Sequence, residues 1–244
     1  MQPLLLAVVL WLAAGVASPG AHVQDTPGDP DRLYADRERL DSALDAASIW
    51  DARLKKDPKD FESAWKLARA CYWLGGHAAE DARRSQFERG IEAARQATVM
   101  RADRPEGHFW MAANMGAMAE SFGLRAGIKY RGPVKKALET VVMIDRGFQQ
   151  GSADRALGRW YLKVPRLFGG SKDKSVEHLK QSLTYDPTSL ASLYFLAETY
   201  LEMDRTNEAR QEARKVVDGP IHAEWAPEDR EFKQKARALL ERLR

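Results

Sequence analysis

Histidine, cysteine and carboxylate side chains are the groups in this sequence that could do chemistry, and their spacing argues against catalysis. The histidines are isolated from one another along the chain: His22, His77, His108, His178 and His222. No His-Glu-x2-His or Cys-x2-Cys spacing occurs, so the sequence predicts neither a metal site nor a cofactor. The only pairs we expect to be able to meet in space are Glu106 with His108 and His222 with Glu224.

Nucleophile and phosphate-binding motifs are also absent from the sequence. It contains no Gly-x-Ser-x-Gly and no Gly-x-Gly-x2-Gly. Cys71 is the single cysteine, which excludes a disulfide within the chain, and we expect it to be a small buried hydrophobic residue on a helix. Glu198 is the one residue that could act as an acid or base in a groove. The sequence therefore predicts a protein that is not an enzyme.

Helical repeats organise the chain. The window Leu193-x2-Leu196-Ala197-x2-Tyr200, followed by Ala209-x3-Ala213-x2-Val216 and Pro220, has large residues on one helix and small residues where a second helix packs. This spacing is typical of tetratricopeptide (TPR) repeats, which are antiparallel helix pairs that stack into a solenoid. We predict an all-α fold.

Three earlier segments follow the same pattern with uneven spacing. They start near Trp65, Trp110 and Leu157, so we expect about four cryptic helix pairs. The first pair is predicted to contain a long connection from Gly75 to Ser85, and the second helix of the second pair to begin at Pro133. A leading helix before residue 58 and a C-terminal capping helix after Pro227 complete the solenoid.

The N-terminal residues are predicted to carry a targeting signal rather than part of the fold. An uncharged apolar run, Leu4 to Val16, is followed by small residues, which is typical of a secretory signal peptide. We predict a signal peptide at 1–17, a linker at 18–30 and the helical domain at 31–244. The predicted location is exported and periplasmic without a lipid-attachment cysteine, and the alternative is an N-terminal membrane anchor.

A concave surface should be lined by one face of each first helix. On the second pair Met111, Met115 and Met118 share a stripe, and methionine suits apolar partners of varied shape. The corresponding positions on the first helices of the other three pairs add further residues. The predicted groove is Lys66, Trp73, Met111, Met115, Met118, Arg155, Arg159, Tyr194 and Glu198.

This groove is apolar in the middle with cations at its flanks. It would suit a small amphipathic anion, because arginine can bind a carboxylate through two hydrogen bonds. The alternative is that the methionine stripe is simply core. Two further stretches, the basic segment 125–136 and Gly169-Gly170-Ser171-Lys172, are candidate anion sites; a solvated loop and a turn with Ser171 as helix N-cap are the simpler interpretations.

The combination resembles a known family, the T-component (TatT-like) proteins associated with tripartite ATP-independent periplasmic (TRAP) transporters. The resemblance lies in Phe61-x3-Trp65-x-Leu67-Ala68-Arg69-Ala70-x-Tyr72, Pro105-Glu106-Gly107-His108-x-Trp110, Arg155-Ala156-Leu157-Gly158-Arg159-Trp160-Tyr161 and Gly169-Gly170-Ser171-Lys172. It implies a ligand cleft, possible homo-oligomers and docking on a solute-binding transporter subunit. A lipoprotein cysteine, which is typical of that family, is absent here.

Two functions from different classes remain open at this point. The first is an exported accessory protein that holds a small organic anion or docks on a transporter subunit. The second is a protein–protein interaction scaffold without a small ligand, and the microtubule-dynamics regulators of eukaryotes look similar at this level. A net charge of +3 does not indicate a nucleic-acid partner.

Overall fold

The computed structural model describes residues 28–243, and this part of the chain contains helices and no strand. The prediction of an all-α fold is confirmed. The predicted signal peptide and most of the predicted linker lie outside the described residues. The helices are α1 Pro30–Ala35, α2 Leu40–Lys56, α3 Phe61–His77, α4 Glu80–Met100, α5 Pro105–Ser121, α6 Gly123–Ile144, α7 Phe148–Lys163, α8 Lys172–Tyr185, α9 Leu190–Glu202, α10 Thr206–Asp218 and α11 Ala226–Arg242.

Consecutive helices pack as antiparallel hairpins, as the repeat pattern predicts. The four pairs are α3 with α4, α5 with α6, α7 with α8, and α9 with α10. Side-chain caps define several helix starts: Asp60 accepts from the Ser63 amide, and Ser171 accepts from the Lys174 amide. The interpretation of Ser171 as an N-cap is confirmed. Helix α1 begins at Pro30 with Asp29 as its N-cap, two residues that were predicted to lie in the linker.

The connection inside the first pair is much shorter than the sequence suggested. Only Ala78 and Ala79 separate α3 from α4, so the predicted connection from Gly75 to Ser85 is wrong. Gly75 is helical because its missing side chain admits the ring of Phe87: a Cβ there would lie within 2.5 Å of Phe87 Cδ1. The glycine therefore marks close helix packing and not a turn.

The second pair also departs from prediction, at Pro133. Helix α6 begins at Gly123, immediately after α5, and Pro133 lies inside it. Gly123 adopts a φ of 76°, which allows the abrupt change of direction between the two helices. The basic segment 125–136 is therefore helical, and the expectation of a solvated loop is wrong.

The main core runs continuously from α1 to α7, with smaller clusters around α8 to α11. Its fully buried side chains include Trp50, Phe87, Leu138 and Leu157. Cys71 is buried as predicted, and desolvation raises the pKa of its thiol to about 12, so the thiolate is not available at neutral pH.

The last helix returns to the first one. Arg37 donates from Nε to Glu228 Oε1 at 3.0 Å and from Nη2 to the Glu224 carbonyl at 2.9 Å. His77 lies 2.6 Å from Glu231, and Arg230 donates to Glu38 at 2.8 Å. We call these contacts the clasp. They join residues more than 150 positions apart, so α11 and the turn before it contact the start of the described domain.

Among the described residues, no helix combines the length and apolar character that crossing a bilayer requires.

Candidate functional site

The first helices of the pairs line a shared concave face. Arg159 on α7 donates to Glu120 on α5 at 2.8 Å and to Glu198 on α9 at 3.2 Å. Both partners lie 39 residues from Arg159 in sequence, so this ladder sets the register of the three inner helices. The charge of Arg159 is compensated by two carboxylates, and Glu198 is a structural partner of Arg159.

Arg155 lies one helical turn before Arg159 and is differently placed. Within residues 28–243 it makes no ion pair or hydrogen bond with another side chain. On the neighbouring helices, Gly116 lies one turn before Glu120 and Tyr194 lies one turn before Glu198. A Cβ at Gly116 would meet no atom within 4 Å, so the space around Gly116 is open. Burial lowers the pKa of Arg155, although guanidinium remains charged at neutral pH.

Tyr72 faces Arg155 from α3. Its side chain is 41% exposed, yet desolvation raises the pKa of its hydroxyl, with Arg159 and Arg155 acting in the opposite direction. The Tyr72 side chain can be partly exposed while its hydroxyl is desolvated, because protein surrounds the hydroxyl in the concave hollow. The ring packs on Trp110 with centroids 5.8 Å apart. A cation and an aromatic surface therefore share the floor of this hollow.

The methionine stripe does not line the hollow. Met118 is 1% exposed and Met115 is also buried, while Met111 packs against the same core. The face of α5 that carries Gly116 and Glu120 is turned inward instead. The predicted inward face of this helix was therefore wrong by about a third of a turn. The inward face of α5 has a glycine where a methionine would fill the space. A ligand role for the three methionines has no geometric support.

The other predicted groove residues fall into two groups. Lys66 lies at the N-terminal end, where its Nζ is 2.9 Å from Asp31, and Trp73 is buried with its Nε1 donating to the Arg37 carbonyl at 2.7 Å. At the other end Tyr194 packs on Phe232 of α11, with centroids 5.6 Å apart. The structure brings Arg159, Tyr194 and Glu198 together, with Arg155 one helical turn before Arg159, whereas Lys66 and Trp73 belong to the region of the clasp.

Two small cavities lie at the ends of the hollow. One, of about 190 Å³, lies between α1, α3 and the turn before α11, and is lined by Arg37, Arg69 and Trp225. The other, of about 100 Å³, lies between α7, α9 and α11, beside Lys163 and Glu198. Both are smaller than the roughly 300–1,000 Å³ of ordinary small-molecule pockets.

Three of the described histidines, His77, His178 and His222, pair with carboxylates. His178 lies 2.8 Å from the buried Asp154, which also accepts from Arg146 at 2.8 Å, and together they hold α8 on α7. The suggested pair of His222 with Glu224 is wrong, because His222 bonds to Asp229 at 3.1 Å. Glu106 binds Arg104, so its suggested pairing with His108 is also wrong. Among the described residues no group of ligands could hold a metal ion.

Sequence reasoning missed two groups of the hollow, Glu120 and Tyr72, and one of the clasp, Glu228. Glu120 was overlooked although its spacing of 39 residues to Arg159 is repeated by Glu198. Tyr72 was interpreted only as one of an aromatic pair on a first helix, and Glu228 was not considered. A search for charges repeated at the period of the helix pairs would have found the first. The other two depend on where α11 returns, for which the sequence carries no local signal.

Solved structures with the same architecture define the class of this protein. TTC0263, a thermophilic TPR protein of Thermus thermophilus, is 21% identical over 86% of this chain and 97% of its own, with a TM-score of 0.65. MamA is 17% identical over 82% of this chain and 95% of its own, with a TM-score of 0.50. At these identities the likeness concerns the fold alone. The chain is a TPR-like helical repeat protein.

A sequence match identifies the family. The family described as regulator of microtubule dynamics protein 1-3 matches residues 29–168, more than half of the chain, and the chain belongs to this family. No curated protein matches it at a significant level. The resemblance to T-component proteins is confirmed only as far as the TPR-like helical repeats.

Proposed function

We propose that this protein is an interaction scaffold whose concave hollow binds a carboxylate-bearing segment of a partner protein. The observation that carries the proposal is the Arg155 guanidinium. Among the described residues it forms no ion pair, and Asp186 and Asp229 attract it only from beyond ion-pair distance, whereas Arg159 next to it pairs with two carboxylates. Partial burial disfavours the charge of this half-buried arginine, and an incoming carboxylate would offset that cost. Helical solenoids commonly use such concave faces for binding.

The family suggests which partner to test first. Its description refers to the regulation of microtubule dynamics, so tubulin is the first protein probe. In co-sedimentation with assembled microtubules, the full chain should pellet and Arg155→Gln should weaken binding at least tenfold, because hydrogen bonds to charged groups are worth about 1.5–3 kcal/mol. Arg53→Gln, an exposed position on α2, removes the same charge and should leave binding unchanged.

The second candidate is a small amphipathic or organic anion, which the free guanidinium of Arg155 also favours. The sizes of the two cavities speak against it unless α11 moves. Native mass spectrometry after gentle purification separates the candidates: protein partners lost in Arg155→Gln support the scaffold, and a small molecule lost in the same variant supports a ligand cleft. If the wild-type and variant spectra are identical, the hollow is not the binding site.

Docking on a solute-binding transporter subunit remains a finer version of the scaffold proposal, supported only by the sequence resemblance. Export remains a proposal as well, supported by the apolar run Leu4 to Val16. N-terminal sequencing of the mature protein tests it directly. A mature start near Ser18 in an exported fraction would favour the transporter partner, and an intact Met1 would favour an intracellular one.

A further inference from the structure

An exposed apolar ridge runs along the outer side of the second and third helix pairs. Leu124 is 76% exposed and Leu167 is 88% exposed, and Ile128 and Phe168 are exposed as well. The first half of α6 carries Leu124 and Ile128, while the 3₁₀ turn Arg166–Phe168 carries the other two. We call this surface the outer ridge. Isolated apolar side chains on a surface are ordinary, but four large ones on neighbouring elements are not.

The two halves of the outer ridge meet at Arg131. Leu124, Ile128 and Arg131 follow one another at i, i+4 and i+7 and share one face of α6. The Arg131 guanidinium lies over the Phe168 ring, 4.5 Å from its centroid. Trp160 fixes the register by donating from Nε1 to the Arg131 carbonyl at 2.9 Å. The apolar side chains therefore belong to one continuous surface.

Cations without counterions surround this surface. No acidic residue occurs at 121–138 or at 162–172. Lys135 is held by Glu139, but five other cations form no ion pair within residues 28–243. They are Arg125, Lys129, Arg131, Lys136 and Arg166. Elsewhere in the domain cations are commonly paired, as Arg230 is with Glu38 and Arg101 with Asp103.

We propose that the outer ridge docks the domain peripherally on an anionic lipid membrane. Leu124, Ile128, Leu167 and Phe168 enter the interface, while the cations reach lipid headgroups. Apolar side chains flanked by flexible cations are the usual composition of interfacial binding surfaces. The net charge of the whole chain is only +3, so this local excess is a property of the ridge.

A membrane fits this surface better than an acidic protein does. Charge attraction to an anionic lipid surface needs no matched partner geometry, because headgroups rearrange around lone cations. The ridge lies on an outer helix, away from the Arg155 hollow, so this proposal stands or falls independently of the proposed function.

The test uses the full chain with phosphatidylcholine vesicles that contain either no anionic lipid or about 30% phosphatidylserine. The ratio of the two partition coefficients isolates the charge effect, because any contribution of the N-terminal apolar run is common to both. Each cation near an anionic surface strengthens binding about fivefold. Arg125→Glu with Lys129→Glu should lower the ratio at least about 25-fold, and added salt should weaken wild-type binding.

A matched control makes the same charge change elsewhere. Arg214→Glu with Arg237→Glu alters exposed cations on α10 and α11 that make no ion pair among the described residues. The ratio should then fall by less than about threefold. Equal losses in the two double variants, or no preference of the wild type for anionic vesicles, would overturn the proposal.

Insertion of the apolar side chains is tested separately. Leu167→Cys can be labelled selectively with a polarity-sensitive dye, because the native Cys71 is buried. Anionic vesicles should shift the emission to the blue, whereas a dye at Arg237→Cys should not respond. If the dye at Leu167→Cys does not respond, or if polyglutamate and not vesicles binds the ridge, the surface docks a protein and the membrane assignment is wrong.

Discussion

The clasp between α11 and the start of the domain should contribute measurable stability, and its two arginine–glutamate pairs should differ. The Arg37 side chain is 4% exposed and that of Glu228 26% exposed, whereas the Glu38–Arg230 pair is about half exposed on both sides. Glu228→Gln keeps the shape and one acceptor oxygen but removes the charge. Arg37 is then left buried, with the Tyr34 and Glu224 carbonyls as its remaining acceptors.

The size of the effect follows from this burial. Breaking a fully buried ion pair costs about 3–5 kcal/mol. The partial exposure of Glu228 and the two remaining carbonyls reduce this, so we expect the free energy of unfolding to fall by about 2 kcal/mol. Glu38→Gln removes the same charge from an exposed pair at the same junction and should cost less than about 1 kcal/mol.

Urea unfolding followed by circular dichroism measures both variants. Hydrogen exchange should show that Glu228→Gln loosens α1 and the first turns of α11 before the central pairs open. Replacing both partners, Arg37→Met with Glu228→Met, should recover much of the loss, because it leaves no buried charge unpaired. A Glu228→Gln variant no less stable than Glu38→Gln would refute the view that the buried pair holds the clasp closed.

Two further predictions concern pH and packing. Although burial acts to lower it, the hydrogen bond to Glu231 raises the pKa of His77, and the same bond lowers the pKa of Glu231. The His77 contribution is complete below its ordinary pKa of 6.5 and is lost as pH rises through the raised value, and that of Glu231 is lost as pH falls below about 4.5. The stability difference between wild type and His77→Gln in urea titrations should therefore be largest near pH 5–6 and shrink above neutrality; a pH-independent difference would contradict the assignment. Gly90→Ala should lower the melting temperature at a cost of about 1–3 kcal/mol, since its Cβ would lie 2.6 Å from Cγ of the buried Asn114, whereas Gly116→Ala faces open space and should gain up to about 1 kcal/mol from helix propensity.

The helices themselves could be predicted because their signals are local. Spacings of three and four residues between large and small side chains locate a helix pair wherever it packs, and α9 with α10 lies where Leu193 to Val216 predicted. Glycine and proline were misleading for a specific reason. Both Gly75 and Pro133 lie inside helices, since the ring of Phe87 needs space in one case and Gly123 provides the turn in the other.

The candidate site was predictable only in part. The predicted inward-facing positions include Arg159 and Glu198, which the structure shows in contact between α7 and α9. On α5 the predicted inward-facing positions were methionines that are core. A helix face is assigned by what packs on it, and an apolar stripe looks the same in sequence whether it meets another helix or a ligand.

The sequence by itself determined the all-helical repeat architecture, the pairing of neighbouring helices and the local excess of cations at 125–136, because each depends on residues close together in the chain. Only the tertiary structure decided that Arg159 pairs with two carboxylates while Arg155, one turn away, forms no ion pair among the described residues, and which face of α5 looks inward. It also decided that α11 returns to Arg37 across 191 residues. These properties depend on packing between residues that are far apart in the sequence. Such contacts decide whether a charged side chain is paired, and the sequence alone does not show them.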